Sequence, residues 1–340
     1  MTANKRKKYT LQIIWFTILG SILIWLVDGA IQIAVRHSDS EQTGKVNKVM
    51  GHEIDPGIMV FGSSVGEVGI DAPEIASITN QSVYNCCIDG TRYMQYRGII
   101  DEFDSYSKNN KYVVMVESYL SFEKIQAVNS LDRYLAYLNN GNLYNSLYAM
   151  QPDLLWKCRY VPFYKFIPAS HVYYKNAAVG LKRLMHHSKD TDSLMGYTPA
   201  YKTLDPDLDS LIKNTPHFDV AIDSAVVGNY IQTIEKLQRS GRKVVLILPP
   251  VLNKVIKQVT DLGPLRNTLT KIAQQTGSVF YDFSNSAICD RRDLFYNRTH
   301  LNATGSAFFS KQLADSMLTI MNAPIANGTQ LSNAAVSQEK

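Results

Sequence analysis

Three stretches of the chain set polar or reactive groups at the ends of short apolar runs. Ile58-Met59-Val60-Phe61 ends in Gly62-Ser63-Ser64, which places hydroxyls on a tight turn leading toward a helix. Asn85-Cys86-Cys87-Ile88-Asp89-Gly90 closes a second run on a glycine whose backbone N–H can face a ligand. The third is Asp293-Leu294-Phe295-Tyr296-Asn297-Arg298-Thr299-His300-Leu301-Asn302, followed by Ala303-Thr304-Gly305 and an apolar helix. Hydroxyls, an imidazole and backbone donors suit chemistry on a ligand held over strand ends. Taken singly each stretch is weak, because Gly-Ser-Ser turns are common and a histidine at a helix entry is most often structural.

The elements that must position these groups alternate. Apolar runs bounded by small-residue turns read as buried strands at Ile58–Phe61, Ser82–Ile88, Tyr112–Val116, Lys243–Leu248 and Val279–Phe283. Helix-period segments lie between them at about 91–107, 218–240, 264–276 and 303–322. Short, almost wholly apolar strands alternating with helices predict an α/β fold whose parallel sheet is covered on both faces. In such a sheet ligands gather at the carboxyl ends of the strands. The region 121–216 breaks the alternation with many Tyr and Leu and one Trp. Lying between the third and fourth strands, it reads as a long helical or irregular insertion that carries acceptor or partner specificity.

In this order the three stretches resemble the SGNH (GDSL-type) hydrolase superfamily, through VFGSSVGEVGI at 60–70, VYNCCIDG at 83–90 and LFYNRTHLNATGSAFF at 294–309. More narrowly they look like its membrane-anchored acyl-transfer branch, which includes teichoic acid D-alanyl transfer and alginate O-acetylation proteins. The resemblance covers about 58–118 and 243–322 and implies a three-layer, flavodoxin-like parallel sheet. It makes Ser64 the nucleophile and His300 the general base, with the oxyanion held by the backbone N–H groups of Ser64 and Gly90. It implies neither a cofactor nor a metal.

Two departures matter. The superfamily pattern has Asp three residues before the histidine, and here that orienting place holds Asn297. The block that ends in an oxyanion-donating Asn is replaced by Glu117-Ser118-Tyr119-Leu120. An amide orients an imidazole but does not stabilise an imidazolium by charge; in a serine protease the same Asp→Asn change lowers kcat by about 10⁴. Three outcomes stay open: Asp293 or Asp290 substitutes, catalysis is slow, or the fold serves without it. The expected function is an extracytoplasmic, membrane-anchored O-acyltransferase or esterase acting on a cell-envelope or exported glycan through an acyl-serine. The alternative is a catalytically weakened binding or scaffold partner of a membrane-bound O-acyltransferase.

Lys5-Arg6-Lys7-Lys8 precedes the uncharged run Thr10–Val27, with Trp15 and Trp25 near its ends. Eighteen residues give about 27 Å of helix, just enough for a hydrocarbon core of about 30 Å. The basic flank predicts a single-pass cell-membrane anchor with a cytoplasmic N-terminus and an exported body. The expected organisation is an anchor over 1–36, a polar tether over 37–55, the SGNH-like domain over 56–322 and a disordered tail over 323–340.

The chain has 340 residues and a net charge of +5. Residues 1–37 hold five basic side chains against Asp28 alone, leaving +1 for the rest, so no nucleic-acid partner is expected. Cys86, Cys87, Cys158 and Cys289 do not form a disulfide scaffold by count, and no pairing among them follows from sequence. No cysteine pair has zinc-ligand spacing, and His186-His187 reads as a surface doublet.

Overall fold

The computed structural model describes residues 3–186, 192–208 and 213–323. His187 and the expected disordered tail from residue 324 onward lie outside the described residues. Five strands form one sheet: β1 (Ile58–Gly62), β2 (Val83–Asn85), β3 (Tyr112–Val116), β4 (Lys243–Leu248) and β5 (Val279–Asp282). All neighbours are parallel, in the order β2-β1-β3-β4-β5. This is the flavodoxin-like order, which reverses direction between β1 and β3 and so opens a crevice beyond their carboxyl ends.

Twelve helices are described: α1 (Ala3–Arg36), α2 (Glu41–Met50), α3 (Ser64–Gly69), α4 (Ala72–Thr79), α5 (Tyr93–Tyr106), α6 (Gly141–Tyr148), α7 (Pro152–Tyr160), α8 (His171–His186), α9 (Ser224–Arg239), α10 (Asn253–Val259), α11 (Gly263–Thr276) and α12 (Ala303–Asn322). Side chains alternate along β1, so that Met59 and Phe61 join α2, α5, α9 and α11 in one core layer. Ile58 and Val60 join α3, α4, α10 and α12 in the other. Burial on both faces is why the strands read as continuous apolar runs.

Local signals set the helix ends. Asp223 caps α9 by accepting from the N–H groups of Ala225 and Val226 at 2.9 and 3.0 Å, so α9 starts later than the expected 218. Gly241, at φ +86°, turns the chain into β4.

The insertion is mainly helical over 131–186 and irregular over 121–130 and 192–207. Tyr134, Leu135, Leu143, Leu155 and Tyr173 share the core layer of α5 and give the insertion no core of its own. Its later part returns to the sheet, where the Met195 carbonyl accepts from Asn85 N–H at 2.8 Å along the edge of β2.

The expected tether is instead a buried helix. In α2, Val46 and Val49 are fully buried, and Asn47 Nδ2 donates to the carbonyls of Val35 and Ser38 at 2.8 and 2.7 Å. Lys45 Nζ, also buried, pairs with Glu67 of α3 at 3.2 Å and donates to the Cys87 carbonyl at 2.9 Å. Polar composition misleads here because these polar groups find long-range partners inside the body.

The N-terminal apolar helix is long enough to cross a membrane, with mean hydropathy 2.0 in its most apolar window and that window unburied. It does not stop at Val27. Asp28 is buried against Lys165 at 2.8 Å and Gln32 at 2.9 Å, and the Arg36 guanidinium donates to the Ala136 carbonyl. Residues 28–36 therefore belong to the body.

Removing one partner of the Lys45–Glu67 pair strands a charge in the interior. Lys45→Met is expected to cost about 3–5 kcal/mol of stability. Adding Glu67→Gln, which removes the stranded charge and keeps an acceptor, recovers part of that loss. Urea denaturation of the two variants checks this.

Candidate active site

Ser64 sits where β1 ends. Ser63 is extended, and Ser64 is the first residue of α3. The turn is held against the sheet so closely that a Cβ on Gly66 would fall 2.5 Å from Cys87 Sγ and 3.1 Å from Val116 Cβ. Buried Asn85 clamps it from β2: its Nδ2 donates to the Gly66 and Ile70 carbonyls at 2.9 and 2.8 Å, and its Oδ1 accepts from Cys87 N–H at 3.0 Å. Asn85 belongs to the second motif, but no role for it was expected, because its partners are distant in sequence.

His300 rides on a hairpin closed by the antiparallel bridge of Phe295 with Leu301. Asn302 fixes the base of that hairpin. Its Oδ1 caps α12 by accepting from Gly305 N–H at 2.9 Å, while its Nδ2 donates to the Asp293 carbonyl at 2.8 Å. Only glycine fits at 305, since a Cβ there would lie 2.1 Å from the Leu294 carbonyl oxygen.

These two loops bring Ser64 Oγ and His300 Nε2 to 2.8 Å. At the other side of the ring, Nδ1 lies 3.0 Å from Asn297 Oδ1 and 3.1 Å from Thr299 Oγ1. Asn297 Oδ1 also accepts the backbone N–H groups of Thr299 and His300 at 3.0 and 2.9 Å. Those two donors determine which end of the amide faces inward, so its oxygen meets the ring. Nδ1 then carries the hydrogen, and Nε2 offers a lone pair to the Ser64 hydroxyl. This tautomer lets a neutral imidazole receive the serine proton.

Burial pushes the His300 imidazole down to about 4; Asp89 works against that shift by charge, and Arg298 adds to it. The ring is therefore neutral at pH 7. Tyr296 stacks on it with centroids 5.5 Å apart. Asp89, beside Gly90, thus acts on the ring by charge, a role that its place in the sequence does not signal.

Neither Asp293 nor Asp290 substitutes for the missing carboxylate. Asp293 is exposed and paired with Arg291 at 2.6 and 2.9 Å, while Asp290 accepts from Asn253 at 3.3 Å. Glu117, at the end of β3, is fully buried and accepts from the Tyr230 hydroxyl at 2.5 Å. Burial raises its carboxyl above the ordinary range.

As the first residue of α3, Ser64 has an N–H with no carbonyl one turn before it to bond. Gly90 takes φ +69°, open to solvent, and its loop is held by Asn129 and Arg133, which donate to the carbonyls of Gly90 and Asp89 at 3.2 and 2.5 Å. Among the described residues, no acceptor takes up either N–H.

The insertion reaches this site twice, through Asn129 and Arg133 at the Gly90 loop and through residues 195–205. Thr198 N–H donates to the Glu67 carbonyl, Asp205 N–H to the Tyr296 carbonyl, and Lys202 Nζ lies 5.5 Å from the Tyr296 ring centre. All four cysteines are buried free thiols, and burial pushes Cys86 up to about 12. Among the described residues no cluster of side chains could hold a metal ion.

No protein-family profile and no curated protein sequence matches the chain. Solved structures do. A Streptococcus pneumoniae protein named for platelet activating factor is 11% identical, covering 88% of this chain and 98% of its own, with a TM-score of 0.41. An acetyl xylan esterase is 16% identical over 77% of this chain and 98% of its own, at 0.39. A Desulfitobacterium hafniense protein, named as a lipolytic member of the G-D-S-L family, is 8% identical over 76% and 98%, at 0.35. These values are too low to carry an activity to this chain, and the site geometry stands by itself.

The electrostatics of the ring are directly testable. His300 is expected to titrate near pH 4. Asn297→Asp places a negative charge at Nδ1–H, favours the charged ring and raises that value by about 1–3 units. NMR of histidine-labelled protein reads both, and an unchanged His300 titration in the variant would show that Asn297 does not face the ring in solution.

Proposed function

We propose that this chain is a membrane-anchored serine acyl-transfer enzyme or esterase of the SGNH (GDSL-type) kind, acting outside the membrane on a cell-envelope or exported glycan. The observation that carries the chemistry is the continuous chain from Ser64 Oγ through the His300 ring to Asn297 Oδ1. Its parts come from strand ends on both sides of β3, where the sheet order opens a crevice.

Ser64 Oγ attacks the acyl carbon of an ester as its proton moves to His300 Nε2. Negative charge collects on the former carbonyl oxygen, facing the N–H groups of Ser64 and Gly90. Collapse of the tetrahedral intermediate breaks the bond to the leaving oxygen, which takes the proton from Nε2 and departs as an alcohol. Acyl-Ser64 remains. A second hydroxyl, from a glycan or from water, gives its proton to Nε2 and attacks the acyl carbon; the bond to Ser64 Oγ then breaks, and Oγ takes the proton back from Nε2. A glycan hydroxyl makes the step a transfer, and water makes it a hydrolysis. A membrane-bound O-acyltransferase is the partner that this reading expects on the donor side.

Asn297 favours a second reading, in which weakened catalysis leaves a docking role. The imidazolium formed at Nε2 has an amide at Nδ1–H instead of a carboxylate, and desolvation already disfavours its charge. The two readings separate on chemical reactivity.

A serine-directed fluorophosphonate is expected to label the full chain once, at Ser64, as read by mass spectrometry. Ser64→Ala abolishes labelling and hydrolysis of p-nitrophenyl acetate with little loss of stability, about 1 kcal/mol or less. Native protein that stays unlabelled decides for the docking reading. In the active case, kcat/KM is lost on acidification as His300 becomes protonated, with the acid limb near pH 4. Asn297→Asp moves that limb upward and raises kcat at pH 7 by about tenfold or more. For topology, a C-terminal reporter active only after export is expected to be active, and activity of a cytoplasm-only reporter there would overturn the exported body.

A further inference from the structure

We infer that residues 156–174 of the insertion form a second membrane contact, seated in the interface of an anionic phospholipid bilayer beside the point where α1 leaves it. The inference rests on the membrane reading of α1.

The position comes from α8 and α1. Lys165 meets Asp28, Gly180 lies so close to Ala34 that a Cβ would fall 1.7 Å from its carbonyl oxygen, and Arg183 donates to the His37 carbonyl at 3.4 Å. The turn that holds Lys165, together with Tyr174 of α8, which stacks on Phe166 of that turn, therefore lies beside Asp28, directly after the exposed apolar stretch Tyr9–Val27.

Large apolar side chains face outward from this turn and from α7 and α8, which flank it in the chain. Trp156, Tyr160, Ile167 and Tyr174 are 50%, 49%, 74% and 50% exposed. They are ordered rather than loose: Trp156 and Tyr160 have ring centres 5.6 Å apart, Tyr174 stacks on Phe166 at 6.0 Å, and its hydroxyl donates to the Phe166 carbonyl. Apart from Lys165, which is buried against Asp28, residues 151–186 carry five basic side chains, Lys157, Arg159, Lys175, Lys182 and Arg183, against Asp153 alone. Ordered Trp and Tyr with cations among them, at the mouth of an apolar span, match the headgroup layer of a bilayer with negative surface charge. Continuity with the apolar surface of α1 identifies the occupant as lipid.

The chain has three tryptophans, Trp15, Trp25 and Trp156, which makes the test direct. The full chain is reconstituted in phosphatidylcholine–phosphatidylglycerol vesicles with dibrominated acyl chains, whose bromines quench nearby indoles. In a Trp15→Phe/Trp25→Phe variant, Trp156 emission is expected to fall by about half or more with bromines close to the headgroups and less with bromines near the bilayer centre. Ile167→Trp, in a background also carrying Trp156→Phe, behaves the same way. Phe308→Trp, on α12 beneath the opposite sheet face, stays unquenched. Trp156→Phe alone keeps the two tryptophans of α1 as the insertion control. Quenching of α1 without quenching at 156 or 167 overturns the second contact and leaves the anchor standing. No quenching at any position overturns both.

Discussion

One buried ion pair, Lys45 with Glu67, couples the N-terminal part of the chain to the turn that holds Ser64. Lys45 and Glu67 are almost wholly withdrawn from water, and each has further partners, the Cys87 carbonyl for the ammonium and Gln42 and Thr198 for the carboxylate. Buried pairs contribute little net stability, because desolvation offsets their attraction, but their geometry is demanding. Here that geometry fixes α2 against α3 one turn from Ser64. Asn47 ties the same helix to the end of α1. An unbroken series of specific contacts therefore runs from the N-terminal helix to the turn that holds Ser64.

At the site itself the governing economy is in one oxygen. Asn297 Oδ1 accepts from two backbone N–H groups and faces Nδ1, so loop shape, ring orientation and tautomer share one determinant. A carboxylate in that place would do the same and add charge. The amide keeps the geometry while leaving a neutral, weakly basic ring. Basicity and position are thus separable here, which is unusual to see in one residue.

The sheet was legible because burial on both faces leaves uninterrupted apolar runs, and the observed strands coincide with them closely. Ser64 and His300 were legible because turn and cap residues around them, Gly62, Asn302 and Gly305, have local reasons to be where they are. What was not legible is long-range. The segment containing α2 reads as polar linker because Lys45 and Asn47 look solvated until their partners, Glu67 and Val35, are known. Asp293 and Asn297 stand four apart, and sequence does not say that Arg291 draws Asp293 outward. Asn85 showed nothing of its clamp on α3, since both carbonyls it holds lie on another element.

The continuity of α1 across Asp28 bears on how the chain can be processed. A leader removed after an apolar stretch normally leaves a mature domain that is complete without it. Here a cut beyond Asp28 would take away the carboxylate that neutralises Lys165, leaving an ammonium enclosed with no counter-charge. A cut further on, past Val35, would also remove a fully buried side chain from the main core layer. The folded body needs the end of the apolar helix. In this molecule the last turns of that helix are a structural component of the domain that follows it.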